Sequence, residues 1–319
     1  MKPVAFVFPG QGSQSVGMLD AWGDHPAVQA TVQEASDALG EDLGALIRSG
    51  PKEALALTTN TQPVMLVAGV ACWRAWQAEG RDLPAAVAGH SLGEYSALVA
   101  AQSLGLAEAV RLVRLRAAAM QDAVPVGTGA MAAILGLDAA KVIAGCADVT
   151  GAMGQNGTEI VEAVNFNDPV QTVIAGTKAA VDKACEVLKG MGAKRALLLS
   201  VSAPFHSSLM KPAADRLKVA LESVNLTEPK IPVVNNIDVA IESDPQAIRD
   251  ALYRQAFGPV RWVECIQKIK AMGLHTVVEC GPGKVLAGMT KRIDAELTGL
   301  AMYDPATLAE VKLAVGQAA

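Results

Sequence analysis

The chain has 319 residues, 51% of them hydrophobic by a wide count and 18% charged, with a formal net charge of −5. That balance implies a folded globule with a sizeable core, in one large domain or two ordinary ones, and it argues against disorder and against nucleic acid as a bulk partner. The five cysteines, Cys72, Cys146, Cys185, Cys265 and Cys280, form no C-x-x-C pair, so neither a zinc site nor a disulfide framework is indicated, and a reducing, cytoplasmic compartment suits them.

In chain order, the first element is a strand over Val4–Phe8, which ends in Pro9-Gly10 and is too short for a signal-peptide core. The glycine-rich turn that follows, Gly10-Gln11-Gly12, has two readings. As a dinucleotide fingerprint it lacks its third glycine, because Ser15 stands there, and no Gly-Lys-Ser/Thr makes it a Walker loop. The other reading is a tight strand-to-loop turn. A helix is expected around Gln62–Glu79; its apolar run Val64–Trp73 stops at Arg74, far short of a membrane span. A strand at Ala85–Ala88 and a helix after Ser91 continue the alternation that argues for a parallel sheet covered on both faces.

From about Thr128 to Leu198 the pattern changes. Strands at Met131–Leu137, Ile160–Asn165, Gln171–Ala175 and Arg195–Ser200, with helices at Ala139–Ala147 and Ala179–Met191, give the β-α-β-β-α-β order of a ferredoxin-like unit. The expected architecture is therefore α/β. A large domain of residues 1–127 and 199–319 carries an inserted small domain, 128–198, entered at Gly127 and Gly129. The tail after Leu297 is alanine-rich and is expected to end in a frayed segment.

The strongest chemical signal is AAVAGHSLGEYSALVA, residues 85–100. Gly89-His90-Ser91-Leu92-Gly93 fits G-x-S-x-G between a strand and a helix, the context of a nucleophile elbow. Its glycines permit the cramped turn that projects a serine hydroxyl, and the N–H of Leu92 is the natural oxyanion donor. The alternative is a structural turn. A serine needs a base. His90 sits within the elbow, where its side chain diverges from that of Ser91; His25 lies in a polar segment and His275 opens an apolar strand. His206 follows Pro204 just before a helix with apolar Met210, Leu217, Leu221 and Val224, and a helix N-terminus disfavours imidazolium. It reads as a base or as a structural histidine. In AEAVRLVRLRAAAMQ, Arg116 shares the apolar face of Leu112, Val113 and Met120, whereas Arg111 and Arg114 lie off it as solvated charges. An inward guanidinium is either half of a structural ion pair or a clamp for a substrate carboxylate.

The ordered blocks FPGQGSQ, GHSLGEYSAL, an Arg followed by AAAMQ, VNFNDPVQTVIAG, VSAPFHSSLMKPA, QAFGPVRW and VECGPGKVLAG resemble those of the malonyl-CoA:acyl carrier protein transacylases over residues 4 to 290. The resemblance implies an α/β-hydrolase-like core with the ferredoxin-like insertion, and the stand-alone enzyme of type II fatty acid synthesis. It implies Ser91 as the acylated nucleophile, His206 as base, and Gln11 with the amide of Leu92 as oxyanion hole. Arg116 would hold the malonyl carboxylate, Gln255 would orient His206 through its backbone carbonyl, and Asn165 and Phe205 would border the acyl pocket. One departure is Ala117, where the family commonly has Gly after the arginine. The implied partners are malonyl-CoA and the phosphopantetheine arm of acyl carrier protein. The chain would act as a cytoplasmic monomer, with no cofactor, metal, nucleic acid or membrane; whether it also serves a polyketide pathway stays open. Lys194, Arg195 and Lys211 are candidates for a basic docking patch. A serine hydrolase shares the elbow, and a non-catalytic carrier-protein module is the remaining rival.

Overall fold

The computed structural model describes residues 3–316 except 81, 155, 156 and 202. Its strands are β1 (Val4–Phe8), β2 (Ala86–Gly89), β3 (Gly129–Leu135), β4 (Val161–Asp168), β5 (Gln171–Thr177), β6 (Arg195–Leu198), β7 (Val233–Val234), β8 (Thr276–Cys280) and β9 (Thr298–Met302). They form two sheets, one of five strands in the order β7-β2-β1-β8-β9 and one of four in the order β4-β5-β3-β6.

Every pairing in the larger sheet is parallel. Each of the five residues of β1 is buried, the continuous apolar run expected of a strand covered on both faces. The strand period divides them. Phe6 points toward the helix Thr58–Ala78, edge-on to Trp73 and Trp76 at 5.5 and 5.1 Å between ring centroids. Ala5 and Val7 join the opposite core with Trp262, Ile266 and Ile269, from the helix Trp262–Ala271.

The smaller sheet is antiparallel throughout. The helices Ala139–Met153 and Lys178–Gly190 supply Val142, Cys146, Val181 and Leu188 to a core with Ile134 and Ile174. The sheet is tied to the rest of the molecule through β4. Phe166 N–H donates to Val260 C=O at 2.9 Å, Val260 N–H donates to Val164 C=O at 2.8 Å, and Arg292 pairs with buried Asp168 at 2.7 Å.

One expectation needs correction. The helix in the first half begins at Thr58, earlier than Gln62, because Thr61 and Gln62 are buried and continue its apolar face. After Leu297 the chain forms two further elements before its end. β9 pairs in parallel with β8, and the helix Pro305–Ala314 is capped reciprocally by Asp304 and Thr307 and buries Leu308 and Val311. Positions 317–319 lie outside the described residues.

The C-terminal ends of β2, β1 and β8 lie side by side, which gathers the turns after Phe8, Gly89 and Cys280 at one edge of the parallel sheet, the usual location of a ligand site. Replacing fully buried Leu66 by Ala is expected to cost about 2–5 kcal/mol in denaturant unfolding. The same change at Leu313, 72% exposed, should stay within about 0.5 kcal/mol.

Candidate active site

Ser91 sits between β2 and the helix Gly93–Ala100 with φ of +53°, left-handed backbone that a non-glycine residue seldom adopts. Holding such a residue there costs on the order of 1–3 kcal/mol unless its surroundings dictate it. They do: Ser91 N–H donates to Asn236 Oδ1 at 2.7 Å, and Gln255 Nε2 donates to Ser91 C=O at 3.0 Å. The turn is tight enough that a Cβ on Gly89 would lie 1.9 Å from the carbonyl carbon of Gly93. The turn after β1 leans on the same elbow, where a Cβ on Gly10 would meet His90 O at 2.6 Å.

Ser91 Oγ is 2.6 Å from His206 Nε2. The other ring nitrogen, Nδ1, is 2.9 Å from the backbone C=O of Gln255. A carbonyl only accepts, so the proton belongs on Nδ1 and the Nε2 lone pair faces the serine hydroxyl. Burial, reinforced by the nearby positive charge of Arg116, pushes His206 down from 6.5 to about 3, and the Gln255 carbonyl pulls weakly the other way. The ring is therefore neutral, as expected, although desolvation rather than the helix terminus is the leading cause.

Arg116 is 2% exposed. It donates from Nη1 to Gln62 Oε1 at 2.7 Å and from Nη2 to Gln255 Oε1 and Ser91 Oγ, each at 3.2 Å. Its guanidinium carbon lies 5.6 Å from the centre of the Tyr95 ring, and its Nε has no partner among the described residues. None of these hydrogen-bond acceptors is a carboxylate, so the structural ion pair weighed from the sequence is not what holds this side chain. The acidic side chain of Glu94 stands one amide away: Gln255 Nε2 donates to Glu94 Oε2 at 3.0 Å. Burial raises Glu94 to about 7, against the lowering effect of its hydrogen bonds from Gln255 and Asn236 and of the Arg116 charge.

Gln11, Ser91, Leu92, Arg116, Asn165, Phe205 and His206 all line one cavity of about 120 Å³, with Met120 and Met131 among its apolar walls. Gln255 stands behind it, fully buried, against His206 and Arg116. Gln11 Nε2 donates to Thr58 Oγ1 at 3.2 Å, and Asn165 Oδ1 is buried without a partner among the described residues. His90 also reaches the cavity, yet its Nε2 lies 2.8 Å from Asn167 Oδ1 and its ring 5.4 Å from that of Trp262. His25 packs edge-on to Trp22, and His275 is exposed.

The family model for the acyl transferase domain matches residues 5–296. A malonyl CoA-acyl carrier protein transacylase of Salmonella typhimurium is 54% identical over 309 residues, 97% of this chain and 98% of that protein. The crystal structure of an acyl-carrier-protein S-malonyltransferase from Burkholderia pseudomallei superposes with a TM-score of 0.94 at 63% identity, covering 97% of this chain and 99% of the other. A malonyl-transacylase in complex with the acyl-carrier protein of a type II polyketide synthase superposes at 0.93 with 51% identity, covering 96% and 98%. This chain belongs to the malonyl CoA-acyl carrier protein transacylases of the acyl transferase family.

Three residues of this acyl transferase's site escaped the sequence: Gln62, Glu94 and Asn236. Glu94 stands one helical turn after Ser91, a spacing that marks proximity, but only packing reveals that both Glu94 and Asn236 are buried against the elbow. Gln62 lies on the expected helix, and nothing local says that it faces Arg116. Arg114 also departs from its reading as a solvated charge: it donates to Thr59 C=O at 2.6 Å and Asn60 Oδ1 at 2.8 Å and pairs with Glu41. Among the described residues no helix is long and apolar enough to cross a membrane.

His206 also makes the fold sensitive to acid. Its folded pKa of about 3 lies below the ordinary 6.5, so the unfolded chain binds this proton first. The fold bears no such penalty above pH 6.5 and loses stability as the pH falls from there toward 3. Denaturant unfolding at stepped pH should show a shallower decline in His206→Gln than in the wild type.

Proposed function

We propose that this chain transfers the malonyl group of malonyl-CoA to the phosphopantetheine thiol of an acyl carrier protein, through a malonyl ester on Ser91. The observation that carries the reading is the convergence on Ser91 Oγ of a neutral imidazole at 2.6 Å and a buried guanidinium at 3.2 Å. One atom thus has a base to take its proton and a cation for the far end of a dicarboxylic acyl group. The names of the relatives and the carrier-protein complex of one structural neighbour support the choice of donor and acceptor.

In the first half-reaction Ser91 Oγ attacks the thioester carbonyl while its proton moves to His206 Nε2. The backbone N–H groups of Gln11 and Leu92, two residues that line the same cavity, would receive the tetrahedral oxyanion. Collapse breaks the C–S bond, and His206 returns the proton to the departing CoA thiolate. In the second half the pantetheine thiol gives its proton to His206 and attacks the ester, and Ser91 Oγ leaves and takes that proton back. The Gln255 carbonyl holds the imidazole by Nδ1 in place of a carboxylate.

Arg116 does two things in this cycle. In the free chain it donates to Ser91 Oγ, and its charge depresses His206. A malonyl carboxylate that engages the guanidinium relieves both restraints as it binds, so the base strengthens only when the right substrate is present. An acetyl group leaves the guanidinium unpaired. Phe205 and Asn165 line the same cavity and would border the acyl group there.

The scaffold fits the same reading. A parallel core of residues 1–127 and 199–319, of the α/β-hydrolase type, carries the elbow. Residues 128–198 form a ferredoxin-like insertion whose strand order, β4-β5-β3-β6, supports that assignment. It brings Met131 and Asn165 to the cavity, and Leu199 and Val201, which follow β6, line it as well.

Intact-protein mass spectrometry after exposure to malonyl-CoA should find one malonyl group, mapped to Ser91 and discharged by holo carrier protein; a label on another residue overturns the mechanism. Arg116→Ala should depress malonyl transfer by at least about 100-fold while acetyl transfer changes only a few-fold. Equal losses on the two acyl donors would remove Arg116 from the role of carboxylate clamp.

A further inference from the structure

Glu94 takes no part in the steps above, yet it is buried beside the reacting groups, 2% exposed in the first turn of the helix after the elbow. A single carboxylate oxygen, Oε2, accepts two hydrogen bonds, from Asn236 N–H at 2.8 Å and from Gln255 Nε2 at 3.0 Å. Those two residues grip the elbow from opposite sides. Asn236 accepts from Ser91 N–H at 2.7 Å and donates from Nδ2 to Gly89 C=O at 2.8 Å. Gln255 donates to Ser91 C=O, accepts from Arg116 at its side-chain oxygen, and accepts from His206 at its backbone oxygen. Both are fully or nearly fully buried, so neither has water as a substitute partner.

The chemistry of the three groups dictates their order. A guanidinium only donates, a carboxylate accepts, and an amide has one end of each kind. Placed between Arg116 and Glu94, the Gln255 amide must turn its oxygen to the arginine and its nitrogen to the glutamate. The same orientation brings Nε2 to the Ser91 carbonyl. Two strained residues depend on that frame, for Ser91 has φ of +53° and His206 has φ of +66°.

We propose that Glu94 is a positioning residue for acyl transfer: as the shared acceptor of Asn236 and Gln255 it holds the serine, the histidine and the arginine in mutual register. The role needs an acceptor at the reach of a glutamate side chain; the amide oxygen of glutamine supplies one, and the shorter aspartate does not. The inference rests on Ser91 being the nucleophile, and the test separates it from the identity of the acyl group.

The test compares Glu94→Gln and Glu94→Asp, each with a wild-type near-ultraviolet dichroism spectrum. A fluorophosphonate probe reports the reactivity of Ser91 independently of any acyl donor, with the modified residue located by peptide mass mapping. Glu94→Asp should react about 100-fold more slowly than the wild type, the usual consequence of a support displaced by about 1 Å. Glu94→Gln should lose no more than about fivefold, the worth of a weakened hydrogen bond. In steady-state malonyl transfer the aspartate variant should lose kcat by a similar factor with KM for malonyl-CoA within about threefold of wild type. Wild-type probe reactivity in Glu94→Asp overturns the proposal, and so does a glutamine variant as slow as the aspartate one. Should the aspartate variant fail to fold, Glu94→Met, which matches the length without a comparable acceptor, takes its place with the same expectation. A wild-type chain that reacts with the probe but transfers no malonyl group overturns the transacylase reading alone, and glutamine well above aspartate in probe rate then still supports Glu94.

Discussion

The site depends on a guanidinium buried with no carboxylate among its hydrogen-bond partners in the described residues. Removing Arg116 from water is costly, and among the described residues no acidic side chain is hydrogen-bonded to it to offset that cost. Two neutral amides, Gln62 and Gln255, take its place in solvating the charge, and the Tyr95 ring lies alongside. A direct Asp or Glu partner would stabilise the folded chain more and leave less for a ligand. Neutral acceptors keep the cation in place and its charge available.

That arrangement constrains its neighbours. The charge acts on His206 together with desolvation, so the imidazole is neutral and its free lone pair lies against the serine hydroxyl. Gln255 serves the arginine with its side chain and the histidine with its backbone, so a displacement of one residue disturbs both. Glu94 balances the local charge through that amide rather than by contact, and the elbow is gripped at Ser91 N–H, Ser91 C=O and Gly89 C=O by the same small set of side chains. The strain at Ser91 and His206 persists because so many buried bonds would have to break together to release it.

The glycine turn after β1 illustrates how a motif changes meaning in its fold. Alone, Gly10-Gln11-Gly12 is a broken nucleotide fingerprint. In the fold, the missing side chain of Gly10 lets the turn pass against the elbow, and Gln11 reaches the cavity wall. The histidines differ likewise: His90 and His206 carry the same ring, but one is turned toward Asn167 and Trp262 and the other toward Ser91.

By itself the sequence determined the elements and the chemistry that is local to them. Continuous apolar strands, the cramped G-x-S-x-G turn, the inward face of the helix bearing Arg116 and the β-α-β-β-α-β order are all written in spacings of a few residues, which is the range over which backbone geometry acts. The last strand and helix were not read from the sequence, because a parallel edge strand and a capped helix owe their stability to the neighbours they pack on. The partners of Arg116 and the shared acceptor Glu94 were out of reach for the same reason. Gln62 lies 54 residues from Arg116, and Gln255 lies 139 residues from Arg116 and 161 from Glu94. Only the tertiary structure decides which buried donor meets which buried acceptor, because that pairing is fixed by exclusion of water from a shared interior and not by distance along the chain.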